Sequence, residues 1–184
     1  METSVYIEET PNPRALKFIL DRTVKSQGKM TIRSDQEVDS PLVRDLLNIS
    51  AVEQVHLFEN VITVSQNGQQ SWDDLVEPIR SVIQTRIEAH NPDIGDEVQK
   101  VVDRSQLSPE LQKIEEILDR TIRPGLRADG GDVEVIEFLN NILVINFQGA
   151  CGGCPSSTME TLYAIENILK SEFHPEIQVK PNLY

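Results

Sequence analysis

The stretch "VEVIEFLNNILVINFQGACGGCPSSTMETLYAIENILK", residues 133–170, carries three local patterns in succession. Two apolar runs, "VEVIEFL" and "ILVINFQ", meet at Asn140-Asn141. Asparagine tolerates positive φ, so the junction predicts a two-residue hairpin turn. Beyond the glycine-rich loop, Leu162, Ile165 and Leu169 recur at helical spacing, with Tyr163 and Phe173 beside them. That period predicts a helix running to about Phe173 with all five side chains in its core. A short strand, "EIQVKP", closes the chain's last folded part.

Upstream, "SPELQKIEEILDRTIRPGL" has Ser108 as an N-cap, Pro109 at the first helical position and Leu111, Ile114, Ile117, Leu118 and Ile122 at helical spacing. Pro124-Gly125 reads as the stop of that helix. The order α-β-β-α-β then predicts helices packed on one face of a three-stranded sheet.

A second unit precedes it. "SVYIEE" and "ALKFILD" flank "TPNPR", whose prolines enforce a turning connection, and "KMTIRS" is a third strand candidate. Ser40 and Pro41 open a helix; "VEQVHLFE" and "VITVSQ" meet at Glu59-Asn60 as a hairpin. A long helix follows from Ser71, with Ser71 and Asp74 as a capping pair and Pro78 predicting a kink or a late start. Trp72 reads as packed. Residues 91–109 open and close with proline and have a thin apolar face, which reads as a linker. The expected organisation is an α+β protein of two small domains, 1–90 and 110–184, each with helices on a mixed or antiparallel sheet. Units of this size have marginal cores, which partners or a bound group would support.

Of 184 residues, 39% are hydrophobic and 26% charged, the balance of a globular chain. The net charge of −13 argues against nucleic acid, which needs clustered Lys and Arg. No run approaches the roughly 18 apolar residues of a membrane span. The first residues, "METSVYIEETPNPR", lack an apolar signal core and are acidic where a transit peptide is Arg-rich, so the expectation is a cytoplasmic protein.

The only two cysteines, Cys151 and Cys154, are spaced C-x-x-C ahead of a helix. Gly149, Gly152 and Gly153 let the backbone bend tightly and bring N–H groups near sulfur. Pro155 makes Cys154 the N-cap, with a capping box at Ser157 and Glu160 as an alternative start. Both sulfurs then lie at the positive end of the helix, which favours thiolate.

Thiolate serves several chemistries. A thioredoxin-like redox pair uses the same strand–C-x-x-C–helix order, but such a fold needs more sheet than this segment supplies. Structural zinc needs further ligands, and His174 follows the helix at its far end, about 27 Å away for about 18 residues. His56 and His90 lie in or beside the other unit and read as packed or solvated. Two chains could instead each donate one C-x-x-C across a two-fold axis and complete a four-thiolate site. Among weaker signals, "DGGD" at 129–132 reads as a turn feeding a strand, and Arg14, Arg123 and Arg127 as solvated surface.

The blocks "ILDRTIRPGLRADGGDVEVIEF" and "ILVINFQGACGGCPSSTMETLYAIENILK" closely resemble the C-terminal iron–sulfur domain of NifU-like proteins. Residues 4–90, through "ETPNPRALKF" and "SPLVRDLLNISAVEQVHLFENVITV", resemble the N-terminal domain of the Nfu class. The resemblance implies a carrier, not a turnover enzyme, that binds a [4Fe–4S] cluster between two protomers. It implies Cys151 and Cys154 as cluster and metal ligands, a homodimer when loaded, an upstream scaffold as donor and apo-proteins as clients, with no nucleic acid or membrane partner. The alternative from another class is a dithiol–disulfide oxidoreductase using the same pair.

Overall fold

The computed structural model describes residues 3–95, 107–153 and 155–182, with the backbone alone for 153 and 155–158. The chain forms two compact units, Met1–Lys100 and Val101–Tyr184, each with its own apolar core.

The first unit runs β1 (Val5–Glu9), β2 (Ala15–Leu20), β3 (Lys29–Arg33), α1 (Pro41–Leu47), β4 (Val52–Phe58), β5 (Val61–Gln66) and α2 (Trp72–Arg86). Its sheet has the order β1-β2-β5-β4-β3, antiparallel throughout. Glu59, at φ 50°, makes the hairpin between β4 and β5. Ser40 caps α1 by accepting from the Val43 N–H at 3.3 Å, and Pro41 sits where its missing donor costs nothing. Leu42 and Leu46 of α1 and Leu75, Ile79 and Ile83 of α2 pack against Phe18, Leu57 and Ile62 of the sheet.

Helix α2 begins at Trp72, so the late start expected from Pro78 does not occur. Pro78 is exposed, and the Asp74 carbonyl it leaves without a donor is in the first turn, where water can serve it. Trp72 is partly buried on the core and donates through Nε1 to the Pro13 carbonyl at 2.9 Å. Residues 91–95, the start of the expected linker, pack on this unit: Ile94 touches its core and the Ser26 N–H donates to Pro92 at 3.0 Å.

The second unit runs α3 (Pro109–Thr121), α4 (Arg123–Ala128), β6 (Gly131–Leu139), β7 (Ile142–Gly149), a 3-10 turn (Ala150–Gly153), α5 (Pro155–Glu172) and β8 (Gln178–Pro181). The sheet order is β6-β7-β8, with β6 and β7 antiparallel and β7 and β8 parallel, a mixed sheet. Asn140 and Asn141, at φ 51° and 61°, form the expected turn.

Three expectations are corrected here. Pro124-Gly125 does not end the helical region: α3 ends at Thr121, and Pro124 falls in the first turn of α4, where no N–H is required. The order is therefore α-α-β-β-α-β. Tyr163 is 62% exposed rather than in the core, because Leu162, Ile165 and Leu169 take the face toward the sheet. Tyr163 instead shares a solvent stripe with Met159 and Asn167, each four residues away. Arg123, expected on the surface, is 4% exposed.

Candidate metal centre

Strand β7 ends at Gly149, whose φ of 62° turns the chain out of the sheet. The 3-10 turn that follows carries Cys151, half-buried against the second core and ahead of the N-terminus of α5. The Ala150 N–H donates to the Gly130 carbonyl at 3.0 Å, tying this turn to the chain just before β6.

Gly131, the first residue of β6, pairs with Gly149. A Cβ on Gly131 would lie 2.4 Å from Cys151 Sγ, 2.8 Å from the Gln148 carbonyl oxygen and 3.0 Å from Cys151 Cβ. The thiol therefore sits on bare backbone. No residue but glycine fits under it without displacement.

Next to it, Asp132 is fully buried. Arg127 Nε donates to Asp132 Oδ2 at 3.1 Å, Arg123 Nε lies 3.6 Å from Oδ1, and the Val133 N–H donates to Oδ1 at 2.7 Å. Arg123 Nη1 also donates to Glu115 at 2.6 Å and Asp119 at 2.7 Å, and its Nε to the Val133 carbonyl at 3.2 Å. Burial pulls the Arg123 guanidinium toward neutrality, but hydrogen bonds and charge attraction from Glu115 and Asp119 outweigh it and raise its pKa. This ion cluster joins α3, α4 and the start of β6, fixing the floor on which Cys151 rests.

Among the expected ligands the structure places Cys151. Cys154, its expected N-cap role and the Ser157 side chain lie outside the described residues. His174 follows the far end of α5, where its Nδ1 accepts from the Glu176 N–H at 3.2 Å. His56 Nδ1 is 2.8 Å from Thr31 Oγ1 and His90 Nε2 is 2.8 Å from the Val24 carbonyl, so both are packed in the first unit. Among the described residues no group of three or more His, Cys, Asp or Glu could hold a metal ion. The sequence reading missed Gly131 and the Asp132–Arg123 cluster. Its available signal was "DGGD", in which the turn explains Gly130 at φ 79° but not Gly131.

Two family models match the chain: the N-terminal domain of scaffold protein Nfu/NifU over residues 5–90 and the NifU-like domain over 114–180. A NifU-like protein of Schizosaccharomyces pombe is 32% identical over 182 residues, covering 93% of this chain and 69% of its own. The NFU1 iron-sulfur cluster scaffold homolog of Homo sapiens, named as mitochondrial, is 32% identical over 95% of this chain and 69% of its own. This chain belongs to the NifU-like (Nfu) family. Another NifU-like relative, from Arabidopsis thaliana and also named as mitochondrial, is 29% identical over 90% of this chain and 61% of its own.

Those names overturn the cytoplasmic expectation and point to a mitochondrial setting instead. An acidic N-terminus with no apolar core says little about compartment. In this NifU-like chain the C-terminal match contains Gly131, Asp132, Arg123 and Cys151 together.

Proposed function

We propose that the protein is an iron–sulfur cluster carrier that takes up a [4Fe–4S] cluster as cargo between two copies of itself and passes it to apo-proteins. Cys151 and Cys154 of each copy are the ligands, and an upstream scaffold loads them. Binding and release, not turnover, are the function.

The observation that carries this reading is the seat of Cys151, half-buried on a tight turn between β7 and the N-terminal end of α5. Thiolate is stabilised at such a place by the helix's positive end and by nearby backbone N–H groups. A four-iron cluster takes about four thiolates, and one chain has two cysteines. A two-fold pair of chains supplies the remainder. The scaffold names of the relatives support the same reading.

Release proceeds by ligand exchange. A client thiol loses its proton and bonds to iron as one Fe–S(Cys) bond breaks, and the departing thiolate takes up a proton. Each bond broken is matched by one formed, with no change in oxidation state.

Anaerobic reconstitution tests the reading. The loaded protein is expected to show a broad visible absorbance band, equal iron and sulfide, and the mass of two chains. Cluster transfer to a cluster-requiring apo-enzyme should persist with a chelator present. Cys151→Ala is expected to abolish cluster binding and cluster-linked dimerisation together. A complete four-iron centre on a single chain, or activation that tracks only free iron and sulfide, overturns the proposal.

A further inference from the structure

We infer that Gly131 is a positioning residue for the cluster ligand Cys151: the missing side chain at 131 sets how deeply the sulfur seats, and so how long the cargo is held. The inference rests on the reading of Cys151 as a ligand.

Three features carry it. A Cβ at 131 would stand 2.4 Å from Cys151 Sγ, a separation that real Cβ atoms essentially never show. The backbone of Gly131 is not in the left-handed region, unlike that of Gly130 at φ 79°. Conformational freedom therefore does not explain why 131 is glycine; space does, first for the thiol at 2.4 Å and then for the Gln148 carbonyl at 2.8 Å. Finally, the strand start has no room to retreat. Asp132 is fully buried between Arg123 and Arg127, and Gly131 is in register with Gly149. With β6 held, the side that yields to an added methyl is the turn carrying Cys151.

The neighbouring glycines separate these roles. A Cβ on Gly125, in α4, would meet nothing within 4 Å, so Gly125→Ala serves as a neutral control. The thiol's environment can be read in the metal-free full-length chain, in a Cys154→Ser background, from the rate at which iodoacetamide alkylates Cys151 across a pH series. Gly131→Ala is expected to change that rate at least about tenfold, which corresponds to 1.4 kcal/mol. Gly125→Ala is expected to leave it unchanged. In the otherwise native chain, Gly131→Ala is expected to shorten the half-life of the reconstituted cluster against a chelator by a similar factor, while far-UV circular dichroism stays native.

Native alkylation and cluster half-life in Gly131→Ala overturn the inference. If the parent chain takes no cluster at all, the carrier reading fails, while the alkylation result still decides whether 131 seats the thiol. Should Gly131→Ala not fold, the double variant Gly131→Ala/Cys151→Ala decides. Recovery of folding shows that the sulfur was the obstacle. Continued unfolding assigns the obstacle to the Gln148 carbonyl, 2.8 Å from the added carbon, and overturns the inference.

Discussion

Replacing Arg123 with Met removes one cation from beneath the cysteine turn and leaves its partners in place. Its side chain is 5% exposed, against 12% for Glu115, 36% for Asp119 and 0% for Asp132. Asp119 can rehydrate, and Asp132 retains Arg127 and the Val133 N–H, so the loss falls mainly on Glu115 and in part on Asp132. Removing one partner from a buried ion pair costs about 3–5 kcal/mol. A unit of this length has about 4–13 kcal/mol of stability in all, at about 0.05–0.15 kcal/mol per residue. Arg123→Met is therefore expected to consume about a quarter or more of the C-terminal unit's stability. The two cores share no residues, and the chain's single tryptophan, Trp72, lies in the first unit. In a urea titration, tryptophan fluorescence should keep its midpoint while part of the far-UV dichroism is lost earlier. Arg120→Met, which removes a surface partner of Glu172, is expected to change either by no more than about 1 kcal/mol. Coincident movement of both probes, or no movement of the dichroism, would refute the reasoning.

Glu166 joins α5 to β8: its carboxylate accepts from Lys170 Nζ at 2.6 Å and from the Val179 N–H at 3.0 Å. The Lys170 hydrogen bond, then the Val179 N–H, hold its pKa below the ordinary 4.5. A depressed carboxylate contributes stability that is present above the unfolded value and lost as pH falls through the folded one. The gap in thermal midpoint between the parent chain and Glu166→Gln should thus shrink on going from pH 7 to about pH 3; a constant gap refutes this. Tyr163→Ser should leave the metal-free chain's stability within about 0.5 kcal/mol, since the ring is exposed. Asn141, at φ 61°, should tolerate Gly, whereas Val should cost about 1–2 kcal/mol in urea unfolding.

Features fixed by neighbours in sequence were legible before the fold was known. Ser40-Pro41 and Ser108-Pro109 open helices because an N-cap oxygen and an absent N–H act within one turn. Asn140-Asn141 turns for a similarly local reason. What sequence concealed depends on distant partners. Periodicity placed Tyr163 on a helix without deciding which face meets the sheet. A buried arginine is the exception among arginines, and only the packing that closes Glu115 and Asp119 of α3 around Arg123, at 2.6 and 2.7 Å, makes it tenable. Pro124-Gly125 carries the residues of a stop, yet Pro124 is equally suited to a first turn, and the packing of α4 against β6 selects that role. Gly131 was hidden because the thiol it would otherwise meet, Cys151, lies 20 residues on.

On the proposed carrier reading, holding a cluster and surrendering it make opposite demands on the Cys151 turn. Beneath the turn lie a paired glycine and a buried ion cluster, which hold the backbone under the thiol in place. On the outer side Gly152 is exposed and has no side chain to bar approach. Geometry at the sulfur is thus set from below, by the Gly131 backbone under it. A carrier of the proposed kind would vary its retention through residues such as Gly131, which touch the ligand thiol and not the incoming one.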